Sequence, residues 1–163
     1  MLNQLHLAML GLYKGDAKRI QHFCKVHSYA KLIAECEKVD KQTLFILEAA
    51  ALTHDIGIHL CEEKYGDCSG KLQEKEGPAI AARLLDELEF EKQVSERVQY
   101  LIAHHHTYNN IDEIDYQILV EADFLVNIME DGLSKEAALK AYESIFKTTC
   151  GKMICMEMFD FCS

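Results

Sequence analysis

The sequence predicts an all-α protein with a single domain, and three observations support that prediction. Apolar residues recur at helical spacing along most of the chain, and no segment alternates in the way of a strand. Only one proline, Pro78, and eight glycines interrupt the 163 residues. A content of 49% hydrophobic and 27% charged residues is typical of a globular domain with one core. We therefore expect one helical bundle over 1–163, centred on about 16–130, with C-terminal helices at 134–161 packed against it.

The first third of the chain shows three helices with recognisable capping residues. We expect the first helix from Leu2 to Tyr13, ending at Lys14-Gly15. Asp16 can cap the second, whose apolar residues stand at helical spacing. Asp40 can cap the third, which ends at the run His54-Asp55-Ile56-Gly57, where the glycine favours a C-terminal stop.

The remaining helices are separated by one long stretch, 59–76, that has no good apolar period. We expect an irregular loop there, of a length often used as a lid. Pro78 is expected in the first turn of a helix through Leu88, because proline fits that turn. Further helices are expected over about 91–105, 114–130 and 135–147, the last capped by Ser134. The tail 153–161 is rich in Met and Phe, and it either completes the core, which we favour, or forms a contact in a homodimer.

Composition argues against several classes of partner. The formal net charge of −10 disfavours a surface that tracks a nucleic-acid polymer, although one local basic pocket for a small phosphate is compatible with it. We expect no membrane span, because no apolar stretch approaches the ~20 residues a bilayer needs. We expect no signal peptide, because the N-terminus lacks a basic region followed by an apolar core. Seven cysteines without a CxxC pair indicate reduced thiols, mostly in the core, and a cytoplasmic protein.

Four polar residues stand at positions that otherwise have the character of core. His54 and Asp55 close the apolar third helix, and His22 lies beside apolar positions of the second. Asp123 lies within the run Ile118 to Val126. Each has a structural explanation, such as a hydrogen-bonded core histidine or a carboxylate paired with a buried Arg or Lys. Their origin in three separate helices favours a divalent metal, which uses imidazole and carboxylate together.

This pattern resembles the HD-domain superfamily of metal-dependent phosphohydrolases. The matching sequence segments are Arg19-Ile20-Gln21-His22, then Ala50 to Gly57 around His54-Asp55, and finally Glu121-Ala122-Asp123-Phe124. The resemblance implies a helical fold and a small phosphorylated substrate, with Asp55 essential to a metal-activated water. It implies a central ion of Mn, Fe, Co, Ni or Zn, with Mg as a further alternative, bound by His22, His54, Asp55 and Asp123.

Three consecutive histidines, His104 to His106, raise the question of a second ion. They end a predicted helix, where a histidine is also favourable against the helix dipole. Some members of the superfamily bind a second metal with histidines here, and helix register favours His105, then His106. His104 would then protonate the leaving group. Those relatives also have a histidine at the position of Glu76, so Glu76 would be the remaining ligand or a base.

A negatively charged substrate phosphate is expected to pair with a basic side chain. Many relatives have a lysine where this chain has Ile58. Lys25, Lys71 and Lys75 are the candidates for phosphate binding, with Lys64 as a further one, although a solvated surface lysine is the ordinary state of each.

The sequence leaves three functions open. We favour a phosphohydrolase that acts on a nucleotide or another small phosphate ester and uses one or two ions. The alternatives are a di-iron oxygenase on the same fold and a non-catalytic ligand sensor or interaction protein.

Overall fold

The computed structural model describes residues 1–161, and over that part of the chain it shows nine α-helices and no strand. The predicted all-α class is confirmed. Cys162, one of the cysteines expected to be reduced, lies outside the described residues. The helices are α1 (Leu2–Leu12), α2 (Ala17–Cys36), α3 (Lys41–Thr53), α4 (Ile58–Tyr65), α5 (Gly70–Glu87), α6 (Lys92–Ile102), α7 (Ile114–Glu130), α8 (Lys135–Ile145) and α9 (Thr149–Phe159).

Side-chain caps begin the helices where the sequence predicts them. The carboxylate of Asp16 accepts a hydrogen bond from the backbone N–H of Arg19 at the start of α2. Asp40 caps α3 in the same way, and the hydroxyl of Ser134 caps α8. A cap of this kind typically contributes about 1 kcal/mol to helix stability.

The helix α3 is the centre of the bundle, because α1, α2, α6 and α7 all contact it. Every residue from Ile46 to Thr53 is buried. The small side chains of Ala49, Ala50 and Ala51 leave space for the neighbouring helices to approach closely. The C-terminal end of α3, which carries the His-Asp pair, therefore lies in the interior of the molecule.

The prediction of an irregular loop over 59–76 is wrong. The helix α4 occupies Ile58–Tyr65 and α5 already begins at Gly70, so only a short connection separates them. Gly66 ends α4 with a left-handed backbone at φ 66°. The helical period is hidden in the sequence because the first turns of α5 bury Gln73 and Gly77 rather than large apolar side chains.

Pro78 lies well inside α5 rather than in its first turn, which corrects the predicted start of that helix. A proline there removes one backbone hydrogen bond, yet the helix continues. The residue before the proline, Gly77, is tightly packed against the turn at 54–57. A Cβ atom on Gly57 would lie 3.1 Å from the backbone of Gly77, so α5 is held directly against the turn at 54–57.

The helix α6 ends at Ile102, before the three histidines, and not at 105 as predicted. Residues 103–106 form turns instead. The side chains of His104 and His105 bond to the carbonyl oxygens of Tyr100 and Ile102 in the last turn of α6. These side-chain bonds occupy carbonyls near the helix end and accompany its early stop.

One stretch, Lys41–Tyr65, is long and apolar enough by composition to cross a membrane, with a mean hydropathy of 1.4. In the structure it is not one helix, because a turn at 54–57 separates α3 from α4. Of its most apolar window, 72% is buried inside the protein. The core that this stretch forms accounts for its apolar character.

The C-terminal helix α9 docks on α7 through a buried carboxylate. Glu121 Oε1 accepts hydrogen bonds from the backbone N–H groups of Lys147 and Thr148, at 2.6 and 2.9 Å. Its other oxygen accepts from the hydroxyl of Thr148. A Cβ atom on Gly151 would lie 2.0 Å from that oxygen, so only glycine fits there. The tail thus joins the core, while Met153 remains 56% exposed.

Candidate metal centre

Three helices bring the predicted ligands together in the interior. His22 comes from α2, His54 follows the end of α3, and Asp123 lies in the middle of α7. His22 Nε2 lies 3.2 Å from Asp123 Oδ1 and 3.2 Å from the Nε2 atom of His54. His54 Nε2 lies 3.6 Å from the same carboxylate oxygen. These three buried residues offer ligand atoms that all lie within 4.8 Å of one another, which we call the inner group.

A second set of ligand atoms lies beside the first and consists of Asp55, His105 and His106, which we call the outer group. Asp55 Oδ1 is 3.6 Å from His105 Nε2 and 3.5 Å from His54 Nε2. The other Asp55 oxygen, Oδ2, is 3.5 Å from His22 Nε2. The carboxylate of Asp55 therefore faces both groups at once.

Hydrogen bonds at Nδ1 determine which nitrogen of each imidazole faces the centre. His54 Nδ1 donates to the carbonyl oxygen of Ala51 at 3.0 Å, and His105 Nδ1 donates to that of Ile102 at 2.7 Å. Because a carbonyl oxygen can only accept, each Nδ1 carries a proton and Nε2 is the atom left to bind a metal. Acceptors of this kind typically orient metal-binding histidines.

The carboxylates make the cluster attractive for positive charge. Burial lowers the pKa of His54, but Asp55 and Asp123 outweigh burial and raise it to about 9. Burial also opposes ionisation of Asp123, yet the two adjacent imidazoles hold its pKa below the usual range. The cluster therefore retains a proton in the absence of a metal ion, and an ion that binds there replaces that proton.

His106 differs from the inner histidines in its protonation. Burial and the neighbouring His105 lower the pKa of His106 to about 4. Its ring is therefore neutral near pH 7, with an unprotonated nitrogen available as a ligand.

Several buried polar atoms among the described residues have no hydrogen-bond partner. They are Asp123 Oδ1, His105 Nε2, His106 Nε2 and Gln73 Oε1. An unsatisfied buried group typically costs about 1–3 kcal/mol, so such a concentration in one place indicates a missing ligand. Imidazole nitrogen with carboxylate oxygen suits borderline and hard divalent metals. The residues present therefore fit a metal ion.

Two adjoining clefts lead from the surface to these groups. One, of about 480 Å³, is lined by His22 and Asp55. The other, of about 390 Å³, is lined by His106 together with Tyr108 and Phe124. The two clefts adjoin, because four residues border both of them: Cys68, Gln73, Asn127 and Asp131.

Two predicted catalytic residues lie outside both groups. Glu76 accepts hydrogen bonds from the Tyr65 hydroxyl at 2.5 Å and from Lys64 at 3.0 Å. His104 packs its ring on Tyr100 with 4.3 Å between centroids. The earlier start of α5 explains the first difference, because it turns Gln73, rather than Glu76, towards the clefts.

The predicted phosphate-binding lysines are paired with carboxylates or exposed. Lys25 Nζ lies 2.9 Å from Glu130, and Lys75 lies 3.7 Å from Glu76. Lys71 is exposed near the start of α5. The structure therefore does not place these lysines at the ligand groups.

Sequence reasoning did not identify three residues that support the site. Glu130 Oε2 lies 3.1 Å from His22 Nδ1, and its spacing of two helical turns from Asp123 was a usable signal. The Tyr13 hydroxyl donates to the Asp55 carbonyl at 2.6 Å, a contact across the fold that leaves no local pattern. Gln73 was hidden in the stretch predicted as a loop.

The chain belongs to the HD-domain family, whose family model matches residues 19–143. That range contains both the inner and the outer group. A solved structure described as a predicted HD superfamily hydrolase, from an uncultured Thermotogales bacterium, shares the fold with a TM-score of 0.70. It is 24% identical, and the alignment covers 98% of this chain and 85% of that one. No curated protein matches the chain.

Proposed function

We propose that this protein is a metal-dependent phosphohydrolase that acts on a nucleotide or another small phosphate ester. The observation that carries the proposal is the position of Asp55, whose carboxylate faces both ligand groups and lines one of the two clefts. Membership of the HD-domain family supports a hydrolase, and the similar solved structure is itself described as a predicted hydrolase.

The inner group and Asp55 would hold one ion, and the outer group would hold a second. A divalent ion bound there would lower the pKa of a bound water molecule and neutralise part of the charge on a phosphoryl group. The share of imidazole nitrogen among the ligands favours Mn, Fe, Co, Ni or Zn over Mg, which prefers oxygen.

The chain's own residues hold this site in shape. The Tyr13 hydroxyl holds the backbone of Asp55, and Glu130 and the Ala51 carbonyl hold the inner imidazoles with Nε2 towards the centre. His54 and Asp123 are almost completely buried, at 1% and 3% exposed, so bulk water does not compete for them. Preorganised ligands of this kind avoid reorganisation during the reaction.

The second cleft offers a surface for the organic part of the substrate. Tyr108 and Phe124 lie edge to face with 5.0 Å between their centroids. A base or another planar group can pack on such an aromatic pair while its phosphate faces the ligand groups. We infer a small substrate rather than a nucleic-acid polymer or a membrane.

The cellular setting is part of the proposal. The six described cysteines are free thiols, which is compatible with the reducing cytoplasm. If the protein forms a homodimer, the exposed Met153 and Met158 of α9 offer an apolar contact surface.

Phosphate release by metal-stripped and metal-reloaded protein tests the function. We would assay small phosphate esters and nucleotides with Mn, Fe, Co, Ni, Zn and Mg, beside Asp55→Asn and, as a control, Asp67→Asn on the exposed connection between α4 and α5. We expect hydrolysis only after reloading, and its loss in Asp55→Asn alone. Oxygen consumption by the iron form would instead indicate the oxygenase, and bound metal without any turnover would indicate a sensor.

A further inference from the structure

Gln73 is an unusual residue to find beside two metal-ligand groups. It is 7% exposed, and its Oε1 atom is buried without a hydrogen-bond partner among the described residues. The amide orientation follows from the other end of the group, because Nε2 donates to the carbonyl oxygen of Cys68 at 2.7 Å. The carbonyl oxygen cannot receive a donated bond from that acceptor, so Oε1 is the free atom.

The helix α5 places Gln73 between two close contacts with the metal centre. One turn before it, a Cβ atom on Gly70 would lie 2.6 Å from the His106 ring. One turn after it, a Cβ atom on Gly77 would lie 2.8 Å from Ile102. Gln73 lines the cleft that contains Asp55 and also the cleft that contains His106. This is where a residue of α5 can complete the outer group.

The charges of the two groups are unequal. The inner group has the carboxylate of Asp123 to itself and shares that of Asp55. The outer group has the shared Asp55 and two imidazoles. The uncharged, unpartnered Gln73 oxygen belongs to a residue that lines both clefts beside it. Two divalent ions would bring four positive charges against two carboxylate charges, in an interior where unbalanced charge is costly.

Neighbouring acidic residues do not remove this imbalance. Glu130 lies behind His22 and is paired with Lys25 at 2.9 Å. Glu74 lies behind His106, where its carboxylate accepts hydrogen bonds from the backbone N–H of His106 and from Thr107. Neither belongs to the ligand atoms that lie together. An ion in the outer group therefore needs negative charge from outside the protein.

A phosphate group supplies that charge, since it carries close to two negative charges near neutral pH. We propose that the ion of the outer group binds together with the phosphate of the substrate, and that Gln73 creates this dependence by offering an uncharged oxygen. The inference rests on the proposed function. The inner group binds its ion in the free protein, and the phosphate brings in the second.

Linkage gives this proposal a quantitative form. If bound phosphate raises the affinity of the protein for the second ion by some factor, the second ion must raise the affinity for phosphate by the same factor. A coupling of about tenfold or more is expected, because coupling between two binding sites typically amounts to about 5–150-fold.

Equilibrium dialysis of metal-stripped protein against Mn²⁺, with and without inorganic phosphate, measures the coupling. Bound Mn²⁺ per chain is counted by elemental analysis at a series of free concentrations. Without phosphate we expect one tightly bound ion. With phosphate we expect a second, with a dissociation constant lower by at least about tenfold.

Variants of Gln73 test its part in the coupling. Gln73→Glu adds the missing charge, so the second Mn²⁺ should bind without phosphate and the coupling should shrink. Gln73→His keeps the group uncharged, so it should retain the dependence on phosphate. Gln93→Glu adds the same charge near the start of α6, remote from the histidines that follow its other end, and should behave as the wild type.

The outcomes separate this inference from the proposed function. Two ions bound equally well with and without phosphate, or one ion in both conditions, would overturn the inference while leaving hydrolysis intact. If Gln73→Glu does not fold, a loss of phosphate dependence in Gln73→His would overturn it equally. If the wild-type protein binds no Mn²⁺, the same dialysis is repeated with Fe, Co, Ni and Zn, and a protein that binds none of them would overturn both.

Discussion

The Nε2 atoms of His22 and His54 lie 3.2 Å apart, although each ring already has an acceptor at Nδ1. Two unprotonated nitrogens at that distance repel each other, so the pair requires a positive species between them. Asp123 Oδ1 lies 3.2 Å from His22 Nε2 and adds a negative charge at the same point. A proton meets this requirement in the free protein, and a divalent ion meets it better.

Metal binding should therefore stabilise the fold. An ion present at 100 times its dissociation constant adds about 2.7 kcal/mol to the free energy of unfolding. We expect the melting temperature to rise on addition of Mn²⁺, and the rise to disappear in Asp123→Asn. Asp86→Asn, on the exposed side of α5, is the matched control and should keep the full shift. An equal shift in both variants would contradict binding at the inner group.

Replacing Glu130 by glutamine should weaken the inner ion without removing a ligand. Glu130 orients His22 through Nδ1, and loss of such a supporting carboxylate typically lowers metal affinity about 10–100-fold. Isothermal titration with Mn²⁺ measures the change. Asp131→Asn, which alters the next residue and the same cleft, should leave affinity close to that of the wild type.

Tyr13→Phe should loosen the turn that carries Asp55. Its hydroxyl donates to the Asp55 carbonyl at 2.6 Å from a side chain that is 1% exposed, so the variant leaves that carbonyl without its donor. We expect a loss of about 1–3 kcal/mol in unfolding free energy, measured by urea denaturation. The same change at Tyr142 on α8 should cost less, and equal costs would argue against a special role for Tyr13.

Gly151→Ala should destabilise the junction of α7 and α9. The new Cβ atom would meet Glu121 Oε2 at 2.0 Å and displace a buried, hydrogen-bonded carboxylate. Overpacking with broken charged hydrogen bonds should cost roughly 2–4 kcal/mol. Gly11→Ala, where no atom lies within 4 Å, should be neutral or slightly stabilising. Both variants should retain their metal content, because neither lies at the ligand groups.

Acid should weaken the pair of Asp112 with Arg97. Arg97 makes hydrogen bonds of 2.7 and 2.9 Å to the two Asp112 oxygens and lowers the pKa of that carboxyl. A lowered pKa means that the stabilisation is present above the unfolded value of about 3.9 and is lost as the pH falls below it.

The variant Asp112→Asn tests the direction of this pH dependence. It should reduce the unfolding free energy at pH 7 by less than about 1 kcal/mol, because the pair is partly exposed. The difference should shrink as the pH falls below about 3.9 and vanish only below the lowered pKa of the folded state. A difference that grows on acidification would reverse the proposed linkage.

The candidate ligand residues could be predicted because each is polar at a core-like position. His22, His54, Asp55 and Asp123 interrupt apolar periods, and burial makes such interruptions costly unless they are functional. The three histidines after α6 were recognised as a consecutive run at a position where some members of the superfamily bind a second metal. Their orientation depends on the turn at 103–106 and not on helix register.

The position of Gln73 on α5 could not be predicted. That helix begins with small and polar residues, so its hydrophobic period gives no signal until after Pro78. Glu76 was predicted instead because it stands where relatives have a histidine, while Gln73 lay in the stretch predicted as a loop. The packing of α5 on α6 and the close approach of Gly77 to Gly57 fix its rotation, and packing between distant segments has no local trace in the sequence.

The turn at 54–57 has a consequence for how this chain can vary in length. One residue added between His54 and Asp55 would separate the pair and displace α4 relative to α3. The turn cannot accommodate an added residue, because Tyr13 holds the Asp55 carbonyl and Gly57 is packed against Gly77. Insertions and deletions should therefore be excluded at this turn, while the exposed connection at 131–134 should accept them.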